Sequence, residues 1–127
     1  RLLSGGGITR MTVDNTGYVG VRTISPLSYM DVSGSMGIAG NTTTADLTLT
    51  DLHHTIIISN LTAVGAGNIT LPTASSCTRR EYVIVNQTGV NKTISSYDSF
   101  TGAASTVIPA TSSITVQSIG GLWYRTK

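Results

Sequence analysis

Glycine or proline interrupts the amino-terminal part of the chain every few residues, in a stretch that otherwise alternates as a β-strand does. In residues 17–36, GYVGVRTISPLSYMDVSGSM, β-branched and apolar residues occupy alternate places. Proline cannot donate a ladder hydrogen bond, and an interior glycine weakens a strand. A segment of under about 40 residues, with neither disulfide nor metal, rarely closes a core alone, and oligomerisation is the usual remedy. The sequence therefore predicts that this segment packs against other copies of itself.

The apolar residues of this segment are the predicted self-contact. Two short strands joined at Asp14–Gly17 are expected within ITRMTVDNTGYVGV, because Asn and Gly supply the backbone freedom of a hairpin turn. The chain then bends at Pro26. The residues predicted to form the interface between copies are Val19, Val21, Ile24, Leu27, Met30 and Val32.

Composition narrows the fold class and the possible partners. The chain has 127 residues, 11% of them charged and 39% hydrophobic, which is too apolar for a disordered protein. Hydroxyl side chains, 21 Thr and 15 Ser, supply most of the polarity, as in strands with one wetted face. The net charge of +2 is scattered, with only Arg79 and Arg80 adjacent, so nucleic acid is not an expected partner. The longest aliphatic run is Ile56–Ile58, and membrane insertion is not expected.

One motif in the amino-terminal segment is specific. RMTVDNTGYVGVRTISPLSYMDVSGSM resembles the shaft or collar repeat of phage and viral trimeric fibres, with the approximate pattern R-M-x-I-D-x-x-G-x-V-G-I-G-T-x-x-P-x-x-x-L-x-V-x-G. Ten residues match it: Arg10, Met11, Asp14, Gly17, Val19, Gly20, Thr23, Pro26, Val32 and Gly34. Met30 stands where the family has Leu, and Arg22 where it has a second glycine. Secreted bacterial fibre adhesins, including mosaic trimeric adhesins of predatory bacteria, share the module. The resemblance implies a parallel homotrimer.

The rest of the chain divides into a linker and a β-rich domain. Residues 37–45, GIAGNTTTA, lack apolar periodicity and are predicted to be a linker after a shaft of residues 1–36. Residues 46–127 contain eight strand-like runs: DLTLTDL, HTIIIS, GNITLP, REYVIVN, NKTIS, STVIP, SSITVQS and GLWYRT. The nearly continuous TIIIS and YVIVN are expected to be central strands. Such spacing is typical of an all-β sandwich or small barrel.

The carboxy-terminal strands carry a looser resemblance. Four segments resemble, in sequence and in order, strands of the distal domains of phage fibres and neck appendages. They are Thr70–Pro72, Arg80–Gly89, Ile114–Gly120 and Trp123. The predicted fold is therefore all-β: a short trimeric shaft or collar, then a jelly-roll-like β-sandwich head, in a parallel homotrimer.

The sequence offers little for catalysis, and we expect neither an enzyme nor a cofactor. There is no G-x-S-x-G elbow, and the carboxylates are few. Asp98–Ser99 has the reverse order of the Ser-Asp self-cleavage site that ends some fibres. His53 and His54 face opposite sides of a strand, so one chain cannot bind a metal with both. In a trimer, one of them could form a three-histidine ring on the axis, although a hydrogen-bonded or exposed histidine is the more common case.

Binding is the remaining function class. The segment SSYDSFTGAAS places Tyr97, Asp98 and Phe100 in a predicted loop suited to stacking on a sugar and bonding its hydroxyls. The alternative is that both rings fill the core or a subunit interface. Arg79, Arg80 and Tyr124 complete the candidate receptor-binding residues. We expect attachment of a virion, or of a secreted or cell-surface fibre, to a cell-surface glycan or envelope component. The alternative function is a structural trimerisation cap with no receptor contact.

Overall fold

The chain forms two compact units built from strands. The computed structural model describes residues 2–4, 8–59 and 66–127, and the units are Arg1–Gly37 and Ile38–Lys127. Thirteen strands and one short 3-10 helix, Ala74–Ser76, make up the regular structure of these residues. The all-β prediction is confirmed. No helix in this part of the chain is long and apolar enough to cross a membrane.

The amino-terminal unit is a four-stranded sheet in sequence order. Its strands are β1 (Leu2–Ser4), β2 (Ile8–Val13), β3 (Val19–Val21) and β4 (Met30–Val32). The pairs β1–β2 and β2–β3 are antiparallel, and β3–β4 is parallel. A crossover over residues 22–29 joins β3 to β4.

The predicted hairpin turn between β2 and β3 is present and is organised by Asp14. Its carboxylate accepts hydrogen bonds from the Thr16 hydroxyl at 2.7 Å and from the Thr16 and Tyr18 backbone amides, both at 2.9 Å. These bonds, the Thr16 hydroxyl first, lower the pKa of Asp14 below its usual value. Gly17 closes the turn with a φ of +88°, in the left-handed region that favours glycine.

Arg22, the departure from the fibre motif, adopts a glycine-like conformation. Its φ is +58°, where a side chain crowds the backbone, and its amide donates to the Arg10 carbonyl at 3.0 Å. The chain therefore keeps the backbone of the glycine that the motif specifies, with some strain.

Replacing Arg22 with glycine is expected to stabilise the amino-terminal sheet. Relief of about 1–2 kcal/mol of left-handed strain outweighs the roughly 0.5–1 kcal/mol entropic cost of glycine, so the net gain is up to about 1.5 kcal/mol. Slower hydrogen exchange of the β2–β4 amides would show it. Arg22→Ala, which keeps the Cβ, is the control. Equal exchange in both variants would contradict a strained backbone at this position.

The carboxy-terminal unit contains the other nine strands. They are β5 (Gly40–Thr43), β6 (Leu47–Thr48), β7 (Thr55–Ile58), β8 (Ile69–Thr70), β9 (Glu81–Asn86), β10 (Lys92–Asp98), β11 (Ala104–Ile108), β12 (Ser112–Ile119) and β13 (Leu122–Arg125). Each of the eight runs predicted from the sequence overlaps with one of them, β6 to β13. The ninth, β5, lies within residues 37–45, which the sequence analysis assigns to a linker, and it pairs in parallel with β7.

These strands curl into a nearly closed mixed barrel. Eight of them follow the order β5-β7-β9-β12-β13-β10-β8-β6, with β11 paired to β10. The two end strands, β5 and β6, are consecutive in sequence and only residues 44–46 separate them, so this short link brings the ends of the sheet together. Five of the neighbouring pairs are parallel. The barrel therefore differs from the predicted jelly-roll-like sandwich, which is built from antiparallel strands.

The barrel encloses the hydrophobic core. Buried side chains from most of its strands fill it, among them Ile56, Ile84, Ile114, Val116 and Trp123. As predicted, β7 and β9 are interior strands of the sheet. All of the buried hydrophobic residues found in the described part of the chain belong to this unit.

Candidate functional site

One face of the amino-terminal sheet is apolar where β2, β3 and β4 pair with one another, over residues 11–13, 19–21 and 30–32. Strand register places the side chains of this face in two rows across β2, β3 and β4. One row is Met11, Val21 and Val32, and the other is Val13, Val19 and Met30. Because alternate residues share a face, these six side chains lie on one side. We call it the open face: Met11, Val13, Val19, Val21, Met30 and Val32. Val13 and Met30 are 56% and 61% exposed, and the other four are half-buried.

The crossover between β3 and β4 covers the opposite face. Thr12, Gly20 and Asp31 lie there in register, and the first two are buried. A Cβ on Gly20 would meet the Thr23 carbonyl oxygen at 2.7 Å, so the crossover packs directly on this position. Pro26, also in the crossover, is buried as well. The chain thus shields the more polar side of the sheet and leaves the apolar side exposed.

This register refines the predicted interface between copies. Val19, Val21, Met30 and Val32 are on the open face, together with Met11 and Val13, which the sequence analysis does not include. Ile24 and Leu27 are in the crossover and outside that face, and Leu27 is 89% exposed. The M-T-V alternation of residues 11–13 is the signal that points to the two added residues.

On the carboxy-terminal unit, four polar side chains form a row across neighbouring strands. Glu81 on β9 pairs with Gln117 on β12, Gln117 with Tyr124 on β13, and Tyr124 with Asp98 on β10. With strands about 4.8 Å apart, the row is roughly 14 Å long. We call these four residues the polar row. They point out of the barrel, because the residues next to them in sequence, such as Tyr82, Val116 and Trp123, are buried inside it.

Two members of the polar row have unused hydrogen-bonding groups. Within residues 8–59 and 66–127, neither the Tyr124 hydroxyl nor the Asp98 carboxylate bonds to another side chain or to the backbone. Gln117 donates its amide to the Arg79 carbonyl at 3.4 Å. Glu81 lies 3.9 Å from the His54 imidazole. The row therefore presents a phenol and a carboxylate, side by side, to solvent.

Tyr97 belongs to the core and not to this surface. It is 3% exposed, and its hydroxyl donates to the Val107 carbonyl at 2.8 Å. The predicted loop is also shorter, because β10 continues through Asp98 and β11 begins at Ala104. Tyr97 is thus unable to stack on a sugar, which is the outcome that the sequence analysis kept as its alternative for this ring.

Phe100 is exposed beside the polar row, and an arginine lies over it. The ring is 66% exposed, in the turn between β10 and β11. The Arg125 guanidinium carbon is 5.1 Å from the ring centroid, within the range of a cation-π contact. The parallel pairing of β10 with β13 brings the two residues together. Arg125 is absent from the residues that the sequence analysis selects.

Arg79 and Arg80 occupy the far end of the polar row. Arg79 is exposed and has a φ of +71°, and its amide donates to the Ser118 carbonyl at 2.8 Å. Arg80 turns toward the buried Tyr82, whose hydroxyl lies 3.4 Å from the guanidinium. Of this pair, Arg79 has the freer side chain.

The histidines are held by neighbouring threonines. His53 accepts a hydrogen bond from the Thr50 amide at 3.0 Å through Nδ1, and His54 Nδ1 lies 3.0 Å from the Thr55 hydroxyl. In the described part of the chain, no three His, Cys, Asp or Glu side chains are grouped as metal ligands. A three-histidine ring between subunits stays a prediction.

A shallow pocket of about 430 Å³ lies at the other end of the β9–β12 pair. Its lining consists of Val85, Asn86, Gln87, Thr111, Ser112 and Ser113. None of these side chains is ionisable, so the pocket offers no charge to a ligand.

Comparison of the chain with protein-family models, with curated proteins and with solved structures finds no match.

Proposed function

We propose that this chain is the distal part of a homotrimeric fibre, viral or cellular, that attaches to a glycan on a cell surface. The amino-terminal unit associates with two further copies, and the carboxy-terminal unit recognises the receptor without covalent chemistry. The observation that carries the proposal is the open face, an apolar surface that its own unit does not cover.

The open face supports association between copies. Six apolar side chains lie on one side of a small sheet, and burying them contributes roughly 25 cal/mol per Å² of surface removed from water. No described residue of the amino-terminal unit belongs to the hydrophobic core, so the sheet has little internal packing of its own. Packing three such faces around one axis would supply the missing core. The resemblance of residues 10–34 to trimeric fibre repeats sets the proposed number of copies at three.

The polar row supports recognition of a glycan. A carboxylate accepts hydrogen bonds from sugar hydroxyls, and a tyrosine adds an apolar ring with a polar tip. Asp98 and Tyr124 present these groups next to each other, and Phe100 adds a second exposed ring. Three copies on one axis multiply a weak single-site affinity by avidity.

Substituting Tyr124 tests the recognition step. In the whole chain, Tyr124→Ala should weaken binding to glycans selected on an array by roughly tenfold or more, since the lost packing and hydrogen bond are worth about 1 kcal/mol each. Tyr29→Ala, at an exposed tyrosine of the amino-terminal unit, is the matched control and should bind as the unchanged chain does. Unaltered binding by a trimeric Tyr124→Ala protein would contradict recognition through the polar row.

A purely structural cap is the second candidate, and one observation favours it. Ile119 and Leu122 are paired across the β12–β13 turn, both are exposed, and both point outward beside the polar row. Exposed apolar pairs are typical of contacts between proteins. A trimer that binds no glycan on the array and adheres to no cells would support the cap.

A further inference from the structure

Two contacts hold the Arg125 side chain in place. Its guanidinium lies over the Phe100 ring, with 5.1 Å between Cζ and the ring centroid. Its Nε donates a hydrogen bond to the Lys127 carbonyl at 3.0 Å. An arginine fixed in this way loses less conformational freedom when it binds a ligand.

The two terminal nitrogens of Arg125 remain unused. In residues 8–59 and 66–127, neither Nη1 nor Nη2 has a hydrogen-bond partner, and no Asp or Glu carboxylate lies within 4.0 Å of the guanidinium. These nitrogens therefore present a planar pair of donors beside an exposed aromatic ring. That geometry matches the two oxygens of a carboxylate.

We propose, building on the proposed function, that Arg125 and Phe100 form a subsite for a sugar that carries a carboxylate. The carboxylate accepts hydrogen bonds from Nη1 and Nη2, and the apolar side of the sugar ring packs on the exposed part of Phe100. The pocket at the other end of the β9–β12 pair has no ionisable side chain and is unsuited to an acidic group.

Asp98 is a second charge near this subsite, on the other face of the strand pair. It pairs with the outward-pointing Tyr124, whereas Arg125 pairs with the buried Val116 and faces the opposite way. Asp98 lies two residues before Phe100, so its negative charge acts on the subsite through space and repels a carboxylate there.

The test compares two oligosaccharides of equal length, one ending in glucuronic acid and one in glucose, for binding to the whole chain. The unchanged protein should bind the acidic probe at least about tenfold more tightly, because a charge-assisted pair is worth about 1.5–3 kcal/mol.

Arg125→Gln should abolish this preference. Arg125→Lys, which keeps the charge and loses the planar fork, should lose most of it. Asp98→Asn should strengthen binding of the acidic probe severalfold, and this gain should shrink as salt is raised.

Phe100→Leu should weaken binding of both probes, and Arg22→Gln, in the amino-terminal unit, is the control for lost charge. Trp123 fluorescence reports whether each variant is folded, since this single tryptophan is buried in the barrel. Equal affinity of the unchanged protein for the two probes overturns the carboxylate subsite and leaves glycan attachment standing. The carboxylate subsite is also overturned if Arg79→Gln loses the preference for the acidic probe and Arg125→Gln keeps it. A chain that binds neither probe nor any other glycan contradicts the proposed function as well.

Discussion

Replacing Val21 with aspartate is expected to convert the proposed trimer into single chains. Val21 is the central residue of the open face, between Met11 and Val32. In the assembled fibre the substitution would bury an unpaired carboxylate in each copy, at a cost of several kcal/mol per charge. A penalty of about 3 kcal/mol corresponds to at least a hundredfold weaker association. Sedimentation equilibrium over a range of micromolar concentrations would measure it.

Ile24→Asp is the matched control for this experiment. Ile24, like Val21, is a β-branched residue of the amino-terminal unit, but it is exposed in the crossover and lies outside the open face. Its substitution should leave association almost unchanged. Equal dissociation by both variants would indicate that the interface extends to the crossover, as the sequence analysis expects. If the unchanged protein is a folded single chain at these concentrations, the fibre proposal is wrong.

Replacing Asn86 with leucine is expected to have the largest effect on the stability of the barrel. Asn86 is 1% exposed, and its amide nitrogen donates to the carbonyls of Val90, Ile108 and Pro109. Its oxygen accepts from the Thr88 amide and hydroxyl. Since the amide nitrogen shares two hydrogens among three carbonyls, these contacts amount to about four full hydrogen bonds. They tie the end of β9 to the segment before β10 and to the end of β11. At about 1 kcal/mol each, their loss should lower the free energy of unfolding by roughly 4 kcal/mol.

Denaturant unfolding followed through Trp123 fluorescence measures this change. Asn91→Ala is the control, because the exposed Asn91 side chain accepts one hydrogen bond, from the Ala110 amide at 2.9 Å. Its loss should cost less than about 1 kcal/mol. If the two variants lose similar stability, the Asn86 network would not be a main support of the barrel.

Local pattern was sufficient to predict most strands. The eight runs from DLTLTDL to GLWYRT combine β-branched residues with turn residues at their ends, and these are local properties. The strand β5 was missed because GNTT has no apolar periodicity. It forms through parallel pairing with β7, which lies a dozen residues further along the chain, and sequence alone does not specify such a pairing. The parallel pairs were missed for the same reason. A small barrel was one of the two architectures that the strand spacing allows, but the jelly-roll-like sandwich was the one predicted.

An irregularity in one strand explains the different positions of Tyr97 and Phe100. Ile94 and Tyr97 are three positions apart, and in a regular strand they would face opposite sides. Both are buried because the register of β10 with β11 shifts between Thr93 and Tyr97. A strict alternation would have placed Tyr97 outward. Arg125 was missed because its role depends on the β10–β13 pairing, which brings it to Phe100. Four of the six residues on the open face followed from alternation alone.

The position of β5 has a mechanical consequence for a fibre. Tension that enters the carboxy-terminal unit through Ile38 acts first on β5, an end strand of the sheet. The paired residues Gly40–Thr43 and Thr55–Ile58 would bear that load together, in shear along the strands. In the proposed fibre, the β5–β7 ladder is therefore the first that pulling would break, before the load passes through residues 44–46 to β6 and its pairing with β8.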